Sequence, residues 1–213
     1  MTDAVKTPRK YDAAGRREQA RRTRRLVLAA AHDLFLADGY SATTIPLVAR
    51  AAGVSPQSVY KSFGNKAGLV KAVFDVAIAG DDEPATMLER ESLTRVRNEP
   101  DPYVKLRLYA AFVADTAPRH VPVQLLLRTA AGTDAEAAAV WSQLSDERLR
   151  GLAMFAQALA PFLRPEVSVE DTRDLLWAYN SPELWDLLVI QRGWSPQQYA
   201  AQLARSLISA LLP

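Results

Sequence analysis

A short run of polar side chains near residue 60 combines groups that form hydrogen bonds readily. The run from Ser55 to Ser62 begins with small hydroxyl and amide groups and continues with the phenol of Tyr60 and the amine of Lys61. Short hydroxyls and amides suit the edges of DNA bases, whereas a phenol or an amine suits phosphates. These residue types in this order therefore indicate contact with a polyanion and not chemistry on a substrate.

The sequence offers no set of residues that could share a catalytic or metal-binding task. It has no Cys, its two His residues, His32 and His120, are far apart, and it has no Gly-rich phosphate loop. Catalysis requires a nucleophile or an acid paired with a base, and a metal site requires clustered ligands. We therefore expect no enzymatic activity, no catalytic residue, no metal and no cofactor.

Two features indicate where the protein resides. The absence of Cys fits a reducing compartment, because disulfides belong to oxidising ones. The longest apolar stretches stop well short of the roughly 20 residues that a membrane helix requires, and no apolar segment follows the basic N-terminus. We expect a cytoplasmic protein that does not bind membranes.

Charge is distributed unevenly along the 213 residues. Residues 1–70 carry 12 Lys and Arg against 5 Asp and Glu, whereas residues 71–213 carry 14 against 19. A basic end on an otherwise acidic protein is typical of a nucleic-acid-binding module, because neutralised phosphates release counterions. A solvated surface can show the same skew, so the charge alone does not decide between the two.

Apolar periodicity predicts helices along the chain and no strand. The predicted helices span residues 18–38, 44–52, 56–63, 66–79, 85–97, 102–117, 120–131, 134–163, 169–180, 182–192 and 196–211. The fold class is therefore all-α. We expect a flexible basic arm over 1–17, a three-helix helix-turn-helix domain over 18–80, and a larger helical domain for effector binding and dimerisation over 81–213.

Residues 43–63 have the features of a helix-turn-helix, whose second helix enters the major groove of DNA. Ala49, Ala52 and Gly53 are small enough for two helices to approach closely, and Ser55 can cap the second helix. Apolar side chains supply an inward face, which leaves the polar run from Ser55 onward outside. Lys66 begins the next helix, where free N–H groups and the helix dipole also favour a phosphate.

The run from Thr23 to Asp75 resembles the N-terminal domain of the TetR family of repressors. The resemblance lies in AAHDLF (30–35), DGYSATT (38–44), VARAAGVS (48–55) and VYKSFGNK (59–66). It implies phosphate contacts by the Thr pair, Tyr60 and Lys66, and a recognition helix over 55–62. Tyr60 as a packing residue and Lys61 as a solvated lysine stay open as alternatives. The implied DNA-binding residues are Thr43, Thr44, Ser55, Pro56, Gln57, Ser58, Tyr60, Lys61, Ser62 and Lys66.

The same resemblance implies a small-molecule effector bound among the helices of the second domain. Aromatic side chains with a few polar groups are the usual lining of such a site, although they equally suit an ordinary core. Arg128 follows three Leu residues, so it reaches solvent, pairs with an acid or faces a ligand. The candidate lining residues are Tyr109, Phe112, Arg128, Phe155 and Trp177.

The last helices are strongly apolar, and in TetR-like proteins such helices pair with their two-fold mates. One recognition helix reads only a few base pairs, so a homodimer that reads a palindrome is expected. Within a monomer the same faces could simply be core. The candidate interface residues are Leu184, Trp185, Leu188, Leu203 and Leu207.

The sequence thus predicts a transcriptional repressor that leaves a palindromic operator when a small molecule binds its second domain. Its expected partners are double-stranded DNA, a small effector and a second copy of the chain. The alternative is a helical protein-protein adaptor without DNA binding. An adaptor would explain the apolar late helices but not the basic first third.

Overall fold

The computed structural model describes residues 13–80 and 91–213, and every regular element in these ranges is a helix. The expected all-α class is confirmed. None of the described helices combines the length and apolar character needed to cross a membrane. The helices are α1 (Ala13–Ala42), α2 (Ile45–Ala52), α3 (Pro56–Phe63), α4 (Lys66–Ala79), α5 (Glu91–Asn98), α6 (Pro102–Ala131), α7 (Ala135–Leu159), α8 (Val169–Tyr179), α9 (Pro182–Trp185) and α10 (Pro196–Leu211).

Helix α1 starts earlier than the sequence predicted. Residues 13–17, expected in the flexible arm, belong to α1, because the Ala and Arg residues in this stretch are strong helix formers. The rest of the predicted arm, residues 1–12, lies outside the described residues, as does the start of the helix predicted over 85–97. Gly39 interrupts the helical backbone of α1 with φ 83°, at the position where a helix stop was predicted.

Helix α6 is one 30-residue helix where two were predicted. A Pro removes one helical hydrogen bond and crowds the preceding turn, which is why Pro118 indicated a break. Both Pro118 and Pro122 lie inside the continuous helix. Helix α6 packs against α4, α7 and α10, and this packing offsets the cost of the two Pro residues.

Two clusters of buried side chains hold the helices together. The first joins α1–α4 to the C-terminal part of α6, through Val123 and Leu127, and to the start of α7, through Val140 and Leu144. The second joins α5, the rest of α6 and α7, and helices α8–α10. Helices α6 and α7 therefore run through both clusters, so the first core extends beyond the predicted 18–80 domain.

Three side-chain contacts connect α4 to the helices of the second cluster. The Lys71 amine lies 3.3 Å from a carboxylate oxygen of Glu147 on α7. The Phe74 ring meets the His120 ring edge-on, with centroids 5.8 Å apart. Arg119 on α6 donates from Nε to the Ala77 carbonyl at 3.1 Å. Helix α4 is thus fastened to α6 and α7 between Lys71 and Ala77.

Candidate nucleic-acid interface

Two adjacent threonines at the start of α2 have different surroundings. Thr44 is exposed and caps α2, since its hydroxyl accepts a hydrogen bond from the Leu47 N–H at 3.3 Å. Thr43 is fully buried, and its hydroxyl oxygen lies 2.8 Å from the Gly39 carbonyl oxygen and 3.1 Å from that of Leu34. A buried hydroxyl held by two interior carbonyls cannot reach a phosphate. The DNA contact predicted for the Thr43 side chain is therefore wrong, and the side chain instead fastens the end of α1.

A tight turn sets the direction of α3. Gly53 has the left-handed backbone conformation (φ 67°, ψ 33°), and its N–H donates to the Ala49 and Arg50 carbonyls. A residue with a Cβ adopts this conformation at a cost, so Gly is well suited to the turn. Ser55 then caps α3 by accepting a hydrogen bond from the Ser58 N–H at 3.2 Å. The left-handed Gly and the Ser cap therefore end α2 and start α3 within three residues.

Helix α3 keeps most of its side chains in solvent. Val59 is its one fully buried residue, and Phe63 is half-buried. Tyr60 is 49% exposed, which rules out the alternative that it packs between helices. A helix with its side chains is about 10–12 Å across, which suits a major groove about 12 Å wide. The exposed residues of the predicted recognition helix are Ser55, Pro56, Gln57, Ser58, Tyr60, Lys61 and Ser62.

The surface around α3 is basic. Residues 43–66 contain Arg50, Lys61 and Lys66 and no acidic residue. The Arg24 guanidinium lies 4.8 Å from the centre of the Phe63 ring, which brings the Arg-rich start of α1 beside the end of α3. Positive charge that surrounds a polar helix face attracts a polyanion from a distance. Arg21, Arg22 and Arg25 near the start of α1 are exposed.

Lys66 is directed toward α1 and not outward. Its amine donates to the Tyr40 carbonyl at 3.0 Å and lies 4.0 Å from the centre of the Tyr40 ring. Burial raises the pKa of the Tyr40 hydroxyl to about 12, so the ring stays neutral beneath the amine. In this arrangement Lys66 joins α4 to α1, and a phosphate contact would require the amine to leave these partners.

The five candidate effector residues do not form one site. Tyr109 and Phe155 pack together with ring centroids 4.7 Å apart, and Trp177 lies in the same buried cluster. Phe112 also packs against this cluster, and it lines a cleft of about 510 Å³ at the junction of α4, α5 and α6. Arg128 is exposed, and its Nη1 lies 2.6 Å from a carboxylate oxygen of Glu183. Of the three expected roles of Arg128, the structure shows pairing with an acid, and the ligand contact stays a prediction.

The charge in this cluster comes from Arg148 on α7, which sequence reasoning missed. Its guanidinium carbon lies 3.7 Å from the centre of the Trp177 ring, and its Nη1 donates to the Asn180 carbonyl at 2.7 Å. Leu144, Arg148 and Leu152 follow one another at four-residue steps, so a charge on an apolar stripe was the available signal. Within the described residues no group of three or more acidic, His or Cys side chains could hold a metal ion.

Three of the five candidate interface residues lie inside the monomer. Leu203 and Leu207 are buried in the second cluster, and Trp185 packs there edge-on against Tyr199 with centroids 4.9 Å apart. Buried side chains cannot touch a second copy, so the prediction for these three is wrong.

The remaining two candidates lie near a surface that is open to a partner. Leu184 and Leu188 are half-buried. They line a groove of about 320 Å³ that is bordered by α9 with the segment after it on one side and by α10 on the other. The exposed apolar residues beside them are Leu187 and Ile190, which are 51% and 55% exposed. They lie in a π-helical segment, Asp186–Gln191, that follows α9. The sequence prediction missed both, because this segment is apolar on every side.

The helices α1–α4 match a known protein family. Residues 27–73 match the model of a family described as bacterial regulatory proteins, tetR family. This range runs from the middle of α1 to most of α4, and so includes α2, the turn and α3. No curated protein sequence matches the chain.

Solved structures extend the likeness over most of the chain. NalD of Pseudomonas aeruginosa, the secondary repressor of the MexAB-OprM multidrug efflux pump, is 23% identical, with 92% of this chain and 98% of NalD covered and a TM-score of 0.70. The fatty acid degradation regulator FadR of Bacillus halodurans is 17% identical, with 86% and 97% covered and a TM-score of 0.69. A TetR-family regulator of a Rhodococcus species is 17% identical, with 89% and 98% covered and a TM-score of 0.64. At these identities the likeness shows a shared fold.

Proposed function

We propose that this chain is a DNA-binding regulator that represses transcription from a palindromic operator and leaves the DNA when a small molecule binds its second domain. The match of residues 27–73 to the tetR family model supports this proposal. The observation that carries the proposal is the surface of α3. That helix commits one side chain fully to the core and presents a polar, acid-free face to solvent. Since the operator is chromosomal, the proposed place of action is the cytoplasm.

The proposed DNA contacts divide by chemistry. Gln57 and Ser58 lie at the start of α3, where short polar groups can reach base edges. Tyr60 and Lys61 lie further along the same exposed face and are assigned to phosphates. Thr44 joins them, since it is exposed at the start of α2. The arginines at the start of α1 add attraction that does not depend on base sequence.

We place the homodimer interface on the surface formed by Leu184, Leu187, Leu188 and Ile190. Large apolar side chains that are exposed together in a monomer are costly in water and mark interaction surfaces. A two-fold axis through this surface would present two copies of α3 to successive major grooves. That arrangement requires half-sites about one helical turn apart.

The proposed route for release is helix α6. It contributes Leu106 and Val113 to the second core and Val123 and Leu127 to the first, so it cannot shift in one without disturbing the other. Arg119 adds a direct hydrogen bond from α6 to the end of α4. An effector that favours a different position of α6 would change the separation of the two α3 helices, and DNA affinity would fall accordingly.

Salt-dependent DNA binding tests the proposal. Fluorescence anisotropy with fragments of the chain's own upstream DNA should give nanomolar-range affinity that weakens steeply with salt. Lys61→Gln should make the slope of log affinity against log salt shallower by about one unit. Arg107→Gln is the matched control, because Arg107 is an exposed cation in the first part of α6, far along the chain from α3. A wild-type protein that binds no fragment at low salt would overturn the proposal.

A further inference from the structure

Two buried polar atoms without a hydrogen-bond partner lie in one cluster of the second core. They are the Tyr109 hydroxyl oxygen and the Nε of Arg148, and among the described residues only the Tyr40 hydroxyl shares this property. Buried polar atoms are nearly always paired, so each exception needs an explanation. Burial raises the pKa of the Tyr109 hydroxyl, while the nearby charge of Arg148 and the side chain of Asn180 oppose the rise. Tyr109 packs on Phe155, which lies two helical turns after Arg148 on α7, so both unpartnered groups lie along the same face of that helix.

Arg148 lacks the acidic partner that a buried cation usually has. Burial lowers the pKa of its guanidinium, which nevertheless stays charged. The acid whose charge acts on it is Glu183, but the Glu183 carboxylate is bonded to Arg128. In the described residues Arg148 has the Asn180 carbonyl and the Trp177 ring as its partners. The Arg148 guanidinium therefore has one buried N–H, at Nε, that could donate to an anion from outside the chain.

The surroundings of the two groups are aromatic. The Trp177 ring covers one face of the guanidinium, and the Phe155 ring packs on Tyr109. Both rings are half-buried, so the cluster borders solvent. An apolar wall with one charge and one hydroxyl is the usual chemistry of a site that orients a small amphipathic molecule.

We propose that the effector is an organic anion, a carboxylate on an apolar or aromatic body, whose oxygens accept hydrogen bonds from the Arg148 Nε–H and the Tyr109 hydroxyl. The inference rests on the proposed function in one respect, namely that the second domain binds an effector. It explains both unpartnered atoms with one ligand group. It also assigns the recognition of charge to α7, since Arg128 is already neutralised by Glu183.

Matched acids and amides test this assignment in the full-length protein. The probes are 1-naphthoate with 1-naphthamide and octanoate with octanamide, and calorimetry and tryptophan fluorescence measure binding. At least one acid should bind about tenfold or more tightly than its amide, because charge-assisted hydrogen bonds are the strong ones. Arg148→Gln should remove that preference, and Tyr109→Phe should weaken acid binding severalfold. Arg148→Lys should keep part of the preference, which shows that the folded site survives substitution.

Arg150→Gln is the control, because it removes an exposed cation from the same helix, whereas loss of Arg128 would free Glu183 to act on Arg148. It should leave the acid preference unchanged. Equal binding of acid and amide, binding of none of the four probes, or a preference that persists in Arg148→Gln overturns the inference. DNA binding is measured on the same samples. Operator binding without an acid preference refutes the anion site alone, whereas an acid preference without operator binding refutes the regulator alone.

Discussion

Acid should loosen the contact between α4 and α6 through a single histidine. His120 is 8% exposed, its Nδ1 lies 3.1 Å from the Gln124 side-chain oxygen, and its ring packs on Phe74. Burial lowers the pKa of His120 from its ordinary 6.5 to about 4, and the charges of Arg119 and Arg148 act in the same direction. The imidazole is therefore neutral in the folded protein near pH 7.

The sign of the effect follows from comparing the two states. Between about pH 6.5 and pH 4 the unfolded chain binds a proton at His120 that the folded chain does not, so stability falls as the pH falls. The contribution is complete above pH 6.5 and lost near pH 4. At about 1.4 kcal/mol for each pKa unit, the loss over the whole interval is about 3 kcal/mol.

Urea unfolding at fixed protein concentration and several pH values between these limits measures this loss. His120→Gln removes the titrating group, so its free energy of unfolding should depend less on pH than that of the wild type, by about 3 kcal/mol over the interval. His32→Gln serves as the control because His32 lies at the surface of α1. Parallel pH profiles for wild type and His120→Gln would refute the reasoning.

Two further perturbations test the positions of individual side chains. Thr43→Val should lower the free energy of unfolding by about 1–2 kcal/mol, because it leaves the buried carbonyls of Leu34 and Gly39 without their donor, while the salt slope of DNA binding should not change; a shallower slope would restore Thr43 as a phosphate contact. Leu187→Asp should convert the proposed dimer to a monomer in sedimentation at low micromolar concentration. Leu36→Asp is the control, because Leu36 is also exposed but lies on α1, and it should leave the dimer intact. A dimer that survives Leu187→Asp would place the interface elsewhere.

The region from α2 to α3 was predictable because its signals are local. Gly53 supplies the left-handed turn and Ser55 the cap, and each acts within a few residues. The exposed face of α3 followed from the same pattern, since Val59 and Phe63 take the inward positions. Thr43 could not be read in this way. Its hydroxyl is held by the Leu34 carbonyl, nine residues earlier in the chain, and a local pattern does not show this contact.

The second core was less predictable because its helices are apolar on several sides. The segment after Pro182 offers Trp185, Leu187 and Ile190 in close succession, and periodicity alone does not select the buried one. The two arginines show the same limit. Arg128 and Arg148 both follow or flank leucines, but only the fold decides that the Glu183 carboxylate makes its ion-pair contact with Arg128.

Helix α3 is held in the core by one fully buried side chain, and this affects how such a protein can evolve. Because Val59 alone is fully buried, six neighbouring positions can mutate with little effect on folding. Changes in target preference and changes in stability are thereby decoupled. A lineage carrying this scaffold can acquire new binding sites by exchanging solvent-facing residues on one short rod, while the framework beneath it stays the same.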